Sequence, residues 1–152
     1  MANLYFEDAE IGTICAAGPY LVKKNEIIQF AKQYDPVPRH LDEEAAARSI
    51  FGGLTASSAH TFAVFISLTP KLQPRLHVLA GMGFDELRLP NAVRPGDELD
   101  LETTVLSLRP CHCGTVSCSR WRVREPIDQT QFSFKATLEK DQVSEVNLDR
   151  RD

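Results

Sequence analysis

One stretch limits the fold of this chain more than any other. Between Ser57 and Pro70 the sequence reads as a helix in which Ala59, Phe62, Ala63, Val64, Phe65, Ile66 and Leu68 cover nearly the whole circumference. A helix apolar all round has to be buried on all sides, so the remainder of the chain must wrap it. Ser57 or Ser58 supplies the hydroxyl of an N-cap, and Pro70 the stop. Four later runs read as strands, at residues 76–89, 98–109, 114–124 and 131–139. In the last of them Phe132, Phe134, Ala136 and Leu138 alternate with polar residues, which is the mark of a sheet with one buried and one wet face. Pro95-Gly96-Asp97 forms the turn between the first two runs. The pattern predicts an α+β domain in which one curved antiparallel sheet wraps around one long buried central helix.

The segment before the apolar helix is punctuated by prolines and glycines. Residues 11–22 read as two short strands, or an irregular entry, broken at Gly18-Pro19. Asn25 is placed to cap a helix running to about Tyr34, with Ile27, Phe30, Ala31 and Tyr34 at helical spacing. Asp35-Pro36-Val37-Pro38 must end it, because proline lacks the helical donor and pushes the preceding residue to extended geometry. Asp42 then caps a short alanine-rich turn of helix, which Gly52-Gly53 interrupts.

Size and charge narrow the class. The chain has 152 residues, within the roughly 100–200 expected of one domain. We expect a single domain over residues 1–140 and a polar, frayed tail over 141–152. A net charge of −4 argues against a basic nucleic-acid footprint and a polybasic membrane arm. The N-terminus has neither the positive nor the apolar region of a signal peptide. The longest apolar run, Ala56 to Leu68, is far short of the roughly 20 residues a bilayer needs. A cytoplasmic location is therefore expected, with Cys15, Cys111, Cys113 and Cys118 as free thiols. Cys111-His112-Cys113 lacks the spacing of a zinc grip, and no metal or cofactor is expected.

The most specific signal lies in residues 34–61. Tyr34-Asp35-Pro36-Val37-Pro38-Arg39-His40-Leu41-Asp42-Glu43-Glu44-Ala45-Ala46 is followed by Phe51-Gly52-Gly53-Leu54-Thr55-Ala56-Ser57-Ser58-Ala59-His60-Thr61, and later by Val93-Arg94-Pro95-Gly96-Asp97-Glu98-Leu99. In order and spacing these segments resemble the MaoC-like dehydratases, which include the (R)-specific enoyl-CoA hydratases of the hot-dog fold. Three positions depart from the family's pattern: Val37 stands where the hydratase motif has Asn, Arg39 where an apolar or aromatic residue is usual, and Ser58 where glycine is common.

The resemblance implies a hot-dog fold, pairing of two such units as a homodimer or dimer of dimers, and an acyl-CoA or acyl-carrier thioester as substrate. It also implies that water is added to, or removed from, a trans-2-enoyl thioester. Hydration needs a base for the water and an acid for the α-carbon, and the matching Asp35 and His40 are the expected base and acid. The Ser58 amide, at the positive end of a helix, is the expected oxyanion donor. Arg39, Gly53 and Ser57 are expected to bind substrate. For Arg39 the competing reading is a surface arginine paired with Asp42 or Glu43. His60, on an otherwise apolar helix, reads as a satisfied core or interface histidine, and neither His77 nor His112 sits in a motif. Two other functions stay open. A hot-dog thioesterase is disfavoured because residues 57–69 contain no Asp or Glu. A non-catalytic acyl-thioester binding or assembly subunit is kept open by Val37 and Ser58.

Overall fold

The computed structural model describes the backbone of residues 3–5, 7–89, 91–111, 114–124 and 129–138, so the expected tail lies outside the described residues. In chain order the elements are β1 (Asn3–Leu4), β2 (Ile14–Leu21), α1 (Lys24–Tyr34), α2 (Pro38–Leu41), α3 (Glu43–Ala47) and α4 (Ser58–Leu68). A 3₁₀ turn (Thr69–Lys71) follows, then β3 (Arg75–Leu76), β4 (Val78–Arg88), β5 (Glu98–Cys111), β6 (Gly114–Arg124) and β7 (Gln129–Leu138). Strands β2-β5-β6-β7-β4 form one five-stranded sheet, antiparallel throughout. β1 and β3 pair in parallel as a separate ribbon. The architecture is the expected α+β one, and the four strand runs appear where the alternation put them. Which face the side chains of β7 present lies outside the described residues.

The core sits between α4 and the sheet. Val64, Phe65 and Leu68 of α4 join Cys15 of β2 and Leu99 and Leu101 of β5 in one buried apolar cluster. Burial leaves the Cys15 thiol without water to solvate its anion, which pushes its pKa up to about 11. The helix is not covered all round, contrary to expectation. His60, Thr61, Val64, Phe65 and Leu68 are buried, but Ala59 and Ile66 are exposed on the opposite stripe. The sheet wraps one side of α4 and leaves the other open in the single chain.

Two local expectations need correction. Residues 14–21 form one strand, with the Gly18-Pro19 pair absorbed as a bulge between Ala17 and Tyr20. Gly18 is required there: its φ is +140°, and a Cβ would lie 3.0 Å from the Asp100 Cα. Asn25 does not cap α1; the N-cap position is Lys23, which makes no side-chain cap bond. The proline segment ends α1 as expected; a further short helix, α2, then follows the extended Val37, with Pro38 at its start, where the missing N–H costs nothing. Asp42 caps α3, its Oδ1 accepting from the Ala45 amide at 2.7 Å. β5 ends at Cys111 and β6 begins at Gly114, so the Cys-His-Cys run falls at that junction, with His112 and Cys113 outside the described residues. Among the described residues no helix is long and apolar enough to cross a membrane.

Candidate active site

The proline-rich break after α1 places the two central side chains. Asp35 is the C-cap of α1, its amide donating to the Ala31 carbonyl. Val37 is held extended ahead of Pro38, so α2 starts in a new direction and carries Arg39 and His40 back alongside Asp35. His40 is buried, with only 4% of its surface exposed. Its Nδ1 lies 2.6 Å from the Thr55 carbonyl oxygen, with the Thr55 hydroxyl at 3.4 Å. A carbonyl oxygen only accepts, so Nδ1 must carry a hydrogen and donate. A proton can then enter or leave the ring only at Nε2, which faces the Asp35 Oδ2 at 3.8 Å. That gap is too long for a direct hydrogen bond, and both residues line the same cleft, from which one water can reach each of them.

The start of α4 forms the next wall. Ser57 is the N-cap, and its hydroxyl accepts from the His60 amide at 3.2 Å. Ser58 is then the first helical residue, and the leading amides of a helix have no intrahelical acceptor. Its exposed position leaves that amide at the positive end of the helix. Two contacts hold this helix start against the loop before β5. The Ala56 amide donates to the Val93 carbonyl at 2.8 Å, and the Arg94 guanidinium donates through Nη2 to the Phe51 carbonyl at 2.6 Å. The expected turn fixes Arg94, whose amide donates to the Asp97 carboxylate at 2.6 Å.

These elements enclose a cleft of about 170 Å³. Asp35, Arg39, His40, Ser58, Thr61 and Asn91 supply its polar lining. Phe51, Leu89, Ala92 and Val93 supply apolar wall. Four of the six residues singled out from sequence therefore meet in one place. The other two stand behind it: the Ser57 side chain is buried in the cap, and Gly53 lies against Arg94, where a Cβ would come within 3.2 Å of Nη1. Arg39 pairs with neither of the acids proposed for it. Asp42 is occupied by its cap bond, and Glu43 pairs with Lys24 at 2.5 Å.

Sequence reasoning missed Thr55 and Asn91. Thr55 acts through a backbone carbonyl fifteen positions from His40, which leaves no side-chain signature. Asn91 belongs to the irregular segment between β4 and β5, where no periodicity marks it. His60 is a core residue as expected, stacked on Phe30 with ring centroids 4.7 Å apart. It is not fully satisfied, because its buried Nδ1 has no hydrogen-bond partner. Burial lowers its pKa below the ordinary 6.5, offset in part by the Glu26 carboxylate.

Comparison with known proteins gives the family and the fold. A family described as "MaoC like domain" matches residues 9–117. A Bacillus subtilis protein, YdeM, is 29% identical over 107 residues, which are 68% of this chain and 74% of YdeM. The crystal structure of a MaoC-like dehydratase from Rhodospirillum rubrum is 33% identical, covers 91% of this chain and 99% of its own, and superposes with a TM-score of 0.79. The (R)-hydratase PhaJ1 of Pseudomonas aeruginosa has the same fold, with 21% identity, coverage of 91% of this chain and 88% of its own, and a TM-score of 0.77. With its antiparallel sheet packed on α4 and its family match spanning most of the chain, the protein belongs to the MaoC-like family of hot-dog domains.

Proposed function

We propose that the chain is an acyl-thioester hydratase or dehydratase, adding water to a trans-2-enoyl thioester or removing it from the 3-hydroxyacyl product. One observation carries the reading: His40 is tied through Nδ1 to the Thr55 carbonyl, so that its only exchangeable position, Nε2, faces Asp35 across 3.8 Å in a cleft also lined by Ser58, the first residue of α4. The (R)-hydratase that shares the fold supports the same reaction class.

The reaction balances on these groups alone. Asp35 takes a proton from the bridging water as its oxygen bonds to the β-carbon. The electron pair of the double bond moves onto the thioester carbonyl, and the Ser58 N–H donates to the resulting enolate oxygen. Groups of this kind typically contribute about 10²–10³-fold. The cycle begins with a proton on the His40 Nε2 as well as on Nδ1, and His40 gives the Nε2 proton to the α-carbon. Once product leaves, the proton on Asp35 returns to Nε2 through the next water to enter the cleft, and both groups regain their starting state. Dehydration is the reverse.

Substrate would arrive as an acyl-CoA or acyl-carrier thioester, and we propose that the protein works as a homodimer or dimer of dimers. β2 and β4 are the edges of the sheet, and an unpaired edge strand invites pairing with another chain. The reading is tested with a panel of trans-2-enoyl-CoAs, following the conjugated enoyl absorbance and free thiol together. Loss of absorbance without thiol release is expected. Thiol release at the same rate would replace hydration with thioester hydrolysis, and binding without either signal would leave a non-catalytic binding subunit.

A further inference from the structure

The cleft holds a cation that the hydration chemistry does not use. Arg39 is carried on α2 beside His40 and lines the same cleft. Its Nε is shielded from solvent and has no hydrogen-bond partner. Asp35, in the same cleft, faces the His40 Nε2 at 3.8 Å, and the acids that follow are engaged elsewhere: Asp42 with the Ala45 amide, Glu43 with Lys24, and Glu44 with Arg48 at 3.8 Å. Among the described residues lining the cleft, Arg39 is the one Lys or Arg side chain. A half-buried guanidinium without a fixed partner bears a desolvation cost that an incoming anion would offset. Its planar fork matches a carboxylate bidentately.

We propose that Arg39 binds a carboxylate on the acyl group itself, so that the substrate is a short enoyl thioester of a dicarboxylic acid. This deepens the hydratase reading and rests on it for turnover, though not for binding. Position decides between the two anions a thioester brings. The carrier's phosphates lie at the far end of the pantetheine arm, many bonds from the thioester. Arg39 lies in the cleft that holds Asp35 and His40, the groups proposed to act on the acyl carbons. Size agrees: at about 170 Å³ the cleft falls below the roughly 300–1,000 Å³ of pockets that hold drug-sized ligands, which suits a short acyl group. Asn91, lining the same cleft, offers a side-chain amide that can donate to the same anion.

The test uses two CoA thioesters of equal length, trans-2-butenoyl-CoA and the mono-CoA thioester of trans-butenedioic acid, which carries a carboxylate in place of the methyl group. The wild type is expected to show the higher kcat/KM on the carboxylate substrate. Arg39→Gln is expected to remove that preference by roughly tenfold to a hundredfold, the scale of a charge-assisted hydrogen bond, with the loss in KM. Arg39→Lys keeps the charge without the fork and is expected to fall between the two. An unchanged preference in Arg39→Gln would overturn the proposal. So would an equal loss on both substrates that disappears when the 3′-phosphate of the carrier is removed, because that would place Arg39 on the carrier.

Calorimetric binding of butanoyl-CoA and of the mono-CoA thioester of butanedioic acid separates this proposal from the hydratase reading. Tighter, Arg39-dependent binding of the second, with no enoyl-CoA turned over, would remove hydration and keep the carboxylate site. Equal binding of both by the wild type would remove the site. Unchanged thermal unfolding of Arg39→Gln and Arg39→Lys shows that the readings come from folded protein.

Discussion

His40 owes its proposed role to a backbone atom. The Thr55 carbonyl fixes its tautomer at 2.6 Å, and the proline-ended α1 brings Asp35 to its other nitrogen. That Asp35, His40 and Ser58 gather at one cleft was legible in sequence because a spaced motif carries those positions, and Arg39 stood out as a departure from it, whereas the Thr55 contact uses no side chain and left no trace. His60 makes a different use of burial. Its pKa is depressed in the native state, so as pH falls the unfolded chain takes up the proton first. Its contribution to stability is therefore intact above about 6.5 and is lost as pH drops below that value toward the depressed native one. His60→Phe keeps an aromatic ring against Phe30 and removes the titration. The fall in Tm between pH 7.5 and pH 5.5 is expected to be smaller in this variant than in the wild type; an equal fall would mean that His60 does not titrate on unfolding.

Among the elements, α4 carries the most consequence for its length. Ser57 closes its first turn by accepting from the His60 amide, which leaves Ser58 as the leading residue at the cleft. Ser57→Ala is expected to cost about 1 kcal/mol of stability, measured by urea unfolding; no change would mean that water replaces the cap without loss. The cap and both ends of this helix were legible because a serine and a proline bracket an apolar run. Its full burial was misread, since the uniform apolar surface carries no mark of which stripe the sheet leaves open. The start of α1 was misread for the opposite reason: Asn25 has the chemistry of a cap, but the chain turns helical one residue before it, at Lys24. At Gly18-Pro19 the sequence signalled a break, and the sheet absorbed it because β5 continues past the bulge and pairs on both sides of it.

At the scale of the whole molecule, the sheet is open at β2 and β4, and α4 leaves Ile66 45% exposed. Both features fit assembly with a second copy. Sedimentation at micromolar concentration is expected to give at least twice the 17.0 kDa of the chain; a species at the mass of one chain would contradict the proposed dimer. The overall architecture was legible because period-2 alternation and one all-apolar helix admit few packings. The cleft was legible only in part, because the segment around Asn91 completes it from a region without pattern. The central claim is that Asp35 and His40 act as one proton-transfer unit on an enoyl thioester. It is tested most directly by the kcat for hydration of trans-2-enoyl-CoA by the wild type, Asp35→Asn, His40→Ala and the double variant. Each single variant is expected to lose at least about 10²-fold while still folding, at the low end of what a general acid or base contributes. The double variant is expected to be little worse than the poorer single, as for groups acting together. A single variant that kept more than about a tenth of wild-type activity would contradict the account, since that loss is far smaller than an essential acid or base accounts for.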